Sequence, residues 1–154
     1  MHIKTIWRER PLDTIILVFL TYFIFGWLSN DVPLIFGIET SGMAFYTSNI
    51  DPLQANAPKY FTFIFGLASF VYGPSYLVIF YGLLKNKSWL WKIALPISGM
   101  VVGTTLVHMY GDITSETPPL NMAAFVLLNG PFVLGFLLLI FRCVREEHSP
   151  QSSA

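Results

Sequence analysis

Apolar residues along this chain come in four long runs separated by polar, charged or proline-rich segments, with little of the alternation that marks a half-buried strand. A helix needs about 20 mostly apolar residues to cross a bilayer core. Four stretches meet that requirement, at about 12–29, 60–84, 89–110 and 121–142. The pattern predicts an all-α polytopic membrane protein: a four-transmembrane-helix bundle forming a single domain over residues 1–148, with an external loop over 30–59 and a polar, disordered tail over 149–154.

Proline changes that picture. Pro74 stands at mid-depth in the second stretch, and Pro96 and Pro131 stand in the third and fourth. In lipid every backbone polar group must find a partner inside the protein, so each of these prolines predicts a kink supported by neighbouring helices. Three kinked helices splay and leave a cavity between them. Gly99 and Gly103, with Ser98 beside them, form a G-x-x-x-G step. It predicts close approach between the protein's own helices ahead of a dimer contact.

Charge sets the orientation. Lys4, Arg8, Arg10, Lys85, Lys87, Lys92, Arg142 and Arg145 fall on one side of the four runs, against only Lys59 on the other. The positive-inside rule then puts the N- and C-termini in the cytoplasm. No small-residue cleavage site follows the first run, where Gly26-Trp27-Leu28-Ser29-Asn30 stands, so an uncleaved helix is expected. Apolar patches in the long loop, Val32 to Ile38 and Met43 to Tyr46, place it at the outer interface. The chain is 54% hydrophobic and 12% charged, with a formal net charge of zero, which gives no basic field for a nucleic acid partner. Its mean hydropathy is +0.59. The single cysteine, Cys143, has no internal disulfide partner and reads as an inert thiol ahead of a palmitoylation site.

The runs are poor in ionisable residues, which argues against a proton or ion pump with a buried carboxylate relay. One polar cluster has the right spacing. Thr104, His108 and Asp112 fall at i, i+4 and i+8 and share a helix face if the third helix continues that far, with Glu116 shortly after. A His beside a carboxylate can serve as an acid–base pair near neutral pH, and the alternative is a set of solvated side chains at headgroup depth. Asn129, just before Gly130-Pro131, offers a hydrogen bond either to a ligand or to a carbonyl freed by the kink. No metal site is expected, because His2 and His148 lie on the opposite side of the membrane and leave one usable His. No phosphate loop, zinc motif, nucleophile elbow or Cys/His pair is present, so no cofactor is expected and hydrolase or kinase readings lack support.

Tyr72-Gly73-Pro74, Tyr110-Gly111-Asp112 and Asn129-Gly130-Pro131 resemble, in order and placement, motifs of the emopamil-binding (EXPERA) family, over about Leu12 to Arg145. That family includes a sterol isomerase and an endoplasmic reticulum receptor for sterols and drugs. The resemblance implies a helical membrane bundle around an apolar cavity. In the isomerase it implies proton addition at one sterol carbon and removal at another, by acids and a His. Asp112 matches the family's Tyr-Gly-Asp, Glu116 matches the acid that follows at shorter spacing, and Asn129 matches the helix-four Asn. Phe132 stands where the family has Trp. Phe61 to Val71, where the family's helix-two acid belongs, holds no acid and no His. With the apparatus half present, binding is expected ahead of turnover. The first expectation is therefore a cavity for a sterol-like or other apolar lipid, lined by aromatics from Phe61 to Tyr81, with Tyr72, Thr104, Tyr110, Asn129 and Phe132 at the ligand and His108, Asp112 and Glu116 closing its outer end. The alternatives are a double-bond isomerase using those last three residues, and an accessory subunit of a larger membrane complex. Membrane lipids, an apolar small molecule and other membrane subunits are the expected partners.

Overall fold

The computed structural model describes residues 9–56 and 58–147. His2, Lys4, Arg8, His148 and the tail expected over 149–154 lie outside them. The described chain is mostly helical and has no strand, with four helices long and apolar enough to cross a membrane: Pro11–Ile35, Phe61–Leu84, Leu90–Ile113 and Met122–Arg145. Side chains such as Val18, Phe25, Phe63, Phe70, Val107, Leu127 and Phe141 are exposed on these helices, a surface suited to lipid and not to water. The chain is a multi-pass integral membrane protein.

The first span is longer than the run at 12–29. It consists of α1 (Pro11–Gly26), a π turn (Trp27–Asp31) and α2 (Val32–Ile35), and it passes through Pro33. A proline ring strikes the carbonyl four residues back and leaves it without a backbone donor. For Pro33 that carbonyl belongs to Ser29, inside the π turn, and widening the helix there makes room for the ring. The second span repeats the device, with α4 (Lys59–Leu67), a π turn (Ala68–Tyr72) and α5 (Gly73–Leu84), so that the turn precedes Pro74. The two loosened turns meet. Trp27 Nε1 donates to the Ser69 carbonyl at 3.0 Å, and Ser69 Oγ donates to the Asp31 carbonyl at 3.0 Å. A Cβ at Gly73 would lie 2.0 Å from Trp27 Cε2, so only glycine admits the indole beside this turn. In contrast, the third and fourth spans, α6 (Leu90–Ile113) and α7 (Met122–Glu147), continue through Pro96 and Pro131 as single α-helices.

Four faces converge on one core. Ile16, Leu20 and Phe23 of α1 meet Ile79 and Leu83 of α5, Leu90, Ala94 and Val101 of α6, and Phe136, Leu139 and Cys143 of α7. Phe23 stacks on Phe132 at 4.4 Å and on Phe136 at 5.1 Å between ring centroids. α7 comes this close to α1 at Gly135, where a Cβ would lie 2.8 Å from Phe23 Cζ. The G-x-x-x-G step plays no such part: nothing lies within 4 Å of a Cβ at Gly99 or Gly103, and both glycines are exposed. The expectation that this step packs the protein's own helices is overturned, because the buried face of α6 runs through Ala94, Ser98 and Val101 instead.

At one end of the bundle the core closes on charge. Asp13 accepts from Arg142 Nε at 2.7 Å and Nη2 at 3.3 Å, and it pairs with Arg10 one turn back. Arg10 Nη2 also donates to the Leu83 carbonyl at 3.0 Å. Spans one, two and four are thereby tied together where the long helices begin and end.

Candidate functional site

At the opposite end the chain between spans one and two folds back over the bundle. Gly37 takes a left-handed conformation at φ +66° where α2 ends. Thr40 then caps α3 (Ser41–Asn49) through its side chain, which accepts from the Met43 backbone N–H at 3.2 Å. Tyr46 of α3 accepts a hydrogen bond from Asn129 Nδ2 at 3.2 Å, and burial pushes its phenol well above the ordinary value. Past α3 the backbone dives. The Ile50 carbonyl accepts from the Leu120 backbone N–H at 2.8 Å, joining this loop to the one between spans three and four. The next side chain, Asp51, is completely buried.

Asp51 Oδ1 accepts from the Leu53 backbone N–H at 3.3 Å and so starts a short 3-10 turn, Pro52–Asn56. Its other oxygen reaches toward α6. There His108 Nε2 lies 3.4 Å from Asp112 Oδ2, as the i, i+4 spacing anticipates. One donor atom from each of Asp51, His108 and Asp112 lies within 4.8 Å of the others. Asp112 is 0% exposed and His108 7% exposed. Phe61 meets the imidazole edge-on at 4.7 Å, and Phe65 and Phe125 complete its surroundings. Four buried atoms here, Asp51 Oδ2, both Asp112 oxygens and His108 Nδ1, have no hydrogen-bond partner. Burial holds the Asp51 carboxyl above the usual carboxylate value, although the Leu53 N–H and Asp112 pull the other way.

Between this cluster and the aromatic core lies a cavity of about 620 Å³. Such a volume falls within the range of about 300–1,000 Å³ typical of small-molecule sites. Its walls come from all four spans and from α3, with Tyr22, Phe65, Tyr76, Val101 and Phe132 supplying apolar surface. Polar groups share the lining: Thr104 Oγ1 donates to Tyr72 Oη at 3.3 Å, Asn129 and Tyr46 form the pair described above, Asp31 enters from the π turn of span one, and Ser29, Asn30, Thr40, Ser41, Gln54 and Thr105 also line the cavity. His108 belongs to both features, since it lines the cavity and also contacts Asp112.

The site residues expected from sequence separate into two groups. Tyr72, Thr104, His108, Asn129 and Phe132 line the cavity, while Asp112 lies behind His108. Tyr110 does not join them. Two residues after His108 on the same helix, it sits on the opposite side and is 71% exposed. Glu116 does not join either: α6 ends at Ile113, so the face shared by Thr104, His108 and Asp112 stops there and Glu116 is exposed. Tyr81, where the expected aromatic lining ended, is exposed at the other end of α5. Sequence reasoning missed Asp51, Asp31 and Tyr46. Only the apolar character of the loop hinted that it folds against the bundle. The expectation of no metal site had counted a single usable His, and Asp51 adds a third potential ligand that the loop carries in from 57 residues before His108.

A model of the EBP family, described as EXPERA (EXPanded EBP superfamily), matches residues 40–143, more than half of the chain. The match begins at the Thr40 cap and takes in Asp51, His108 and Asp112, while Asp31 precedes it. Neither the curated proteins nor the solved structures yield a significant match.

Proposed function

The chain belongs to the EXPERA family, and from that premise we propose that it binds a sterol-like or other ring-bearing apolar lipid in the cavity beneath α3. The observation that carries this reading is the cavity itself, whose walls are mainly apolar and rich in aromatic rings, with hydrogen-bonding side chains among them. An apolar ring system gains from leaving water or disordered acyl chains for fixed aromatic contacts, and a single hydroxyl or carbonyl finds Thr104, Tyr72 or Asn129. α3 forms part of the cavity wall and carries the Asn129–Tyr46 contact. The excess of Lys and Arg on the Arg10 side supports a cytoplasmic location for that end and both termini, and reporter fusions at each terminus test the orientation.

The test is gentle extraction followed by native mass spectrometry and identification of retained lipid. A stoichiometric polycyclic lipid, displaced by a sterol photoprobe and lost in Thr104→Phe with the fold intact, is the expected result. A stable assembly with other membrane subunits and no such lipid would overturn it in favour of an accessory role.

A second reading, double-bond isomerisation, is favoured by one observation: Asp31 and His108 approach the cavity from different spans. An isomerase must protonate one carbon and deprotonate another, and these side chains provide a carboxyl and an imidazole where the second span has neither. Turnover of a ring-unsaturated sterol that disappears in both Asp31→Asn and His108→Gln, with lipid retention preserved, is the outcome that would select this reading over binding alone.

A further inference from the structure

Two buried carboxylates beside an imidazole, with most of their oxygens lacking a hydrogen-bond donor, need an explanation beyond lipid binding. A carboxylate removed from water without a compensating partner is strongly disfavoured, and two of them together are worse. The described ion pairs of Arg10 and Arg142 are with Asp13 at the far end of the bundle. At this end Asp51 and Asp112 are fully buried, and three of their four oxygens lack a hydrogen-bond partner.

We propose that Asp51, His108 and Asp112 form a binding site for one divalent first-row transition-metal ion, zinc by preference. Geometry supports it. Four-coordinate zinc holds nitrogen and oxygen ligands at about 2.0–2.2 Å, which spaces neighbouring donors about 3.3 Å apart. His108 Nε2 and Asp112 Oδ2 already stand 3.4 Å apart, and all three donors lie within 4.8 Å, so a change of side-chain torsion in Asp51 completes the set. The charge balance fits as well, because a divalent cation neutralises two carboxylates that otherwise need protons. One imidazole among two carboxylates suits zinc. Magnesium holds out for an all-oxygen octahedron with several waters, which the phenyl rings of Phe61, Phe65 and Phe125 discourage.

The site has a place in the architecture. Asp51 comes from the loop that follows α3, while His108 and Asp112 come from α6, so the ion pins the cover of the cavity to the third span. His108 also lines the cavity, so one ligand of the ion is shared with the cavity wall. This inference does not depend on what the cavity holds, because metal content is read without any lipid.

The test uses the full chain in mild detergent, purified without chelator. Elemental analysis is expected to give about one zinc per chain, or to reach that level after chelation and zinc re-addition, with a rise in Tm on loading. Asp51→Asn and His108→Gln are each expected to lower affinity at least about tenfold, and Glu39→Gln, on the exposed loop, is expected to leave it unchanged. Failure to take up zinc, cobalt or manganese stoichiometrically overturns the proposal, as does uptake that neither ligand variant weakens. If the Asp51 variant does not fold, cobalt loading of the natural chain decides. A four-coordinate nitrogen and oxygen spectrum supports the site, and an aquo-like six-coordinate spectrum sinks it.

Discussion

The two ends of this bundle each bury ionisable groups, and they treat them in opposite ways. At the Arg10 end, Asp13 is matched by two guanidinium groups, one just before α1 and one on α7, and both its oxygens are taken, leaving Arg10 Nη1 as the one buried atom without a hydrogen-bond partner among the described residues there. At the Asp51 end, acceptors outnumber donors: two carboxylates face one imidazole, and three carboxylate oxygens lack a hydrogen-bond partner, although His108 stands 3.4 Å from one of them. A satisfied buried pair holds helices in place and asks for nothing more. An unsatisfied one carries a cost in the folded chain that a proton, an ion or a ligand has to relieve. One end therefore reads as structure and the other as a site, although the sequence presents both as a few charges near helix ends.

The most severe way to break the comparison is at the satisfied end. Asp13→Ala strands two guanidinium groups and is expected to cost about 3–5 kcal/mol, read as a large fall in Tm in detergent. If that variant keeps the natural Tm, the cluster is not what holds spans one, two and four. Gly73→Ala comes next. Its Cβ would strike Trp27 at 2.0 Å, and overpacking of this kind costs about 1–3 kcal/mol while disturbing the hydrogen bond between the two π turns. At the unsatisfied end Asp112→Asn is expected to behave oppositely to Asp13→Ala. In chelated protein it removes an uncompensated carboxylate and changes stability by less than about 1 kcal/mol, or raises it. A loss there as large as that of Asp13→Ala contradicts the distinction between the ends.

pH sharpens the same point. Asp51 sits among Asp112, His108 and Tyr46, and its folded carboxyl is held above its ordinary value of 3.8. The folded chain then binds more protons than the unfolded chain once pH exceeds that value. Stability in chelated protein therefore falls as pH rises from about 4 through the raised value, the reverse of a salt-bridged carboxylate. Zinc loading is expected to flatten this slope, as followed by Tm against pH with and without metal. The smallest effect belongs to Gly103→Ala. With open space around its Cβ, the change is expected to raise stability by no more than about 1 kcal/mol through helix propensity alone, and a clear loss would reveal a contact with another chain.

The amino-acid sequence by itself determined the solvent, the number of spans and most of the polar face of the third helix. Long apolar runs can be satisfied only by helices in lipid, and His108 with Asp112 at i, i+4 is a local relation that any helix enforces. Tyr72, Thr104 and Asn129, expected at a ligand, do line the cavity. The sequence did not show that Tyr110 turns outward or that Glu116 lies past the helix, since both depend on where α6 ends at Ile113. Pro33 looked like a loop residue, because nothing local says that a π turn and donors on span two will carry the first helix through it. Asp51 was the deepest omission. Asn49 and Pro52 beside it are turn-forming, and its burial arises only when the Ile50 carbonyl is caught by Leu120 and the loop is drawn under α3. Periodicity records what each helix does alone, whereas the meeting of a loop carboxylate with a helix face 57 residues away is decided only when the four spans pack.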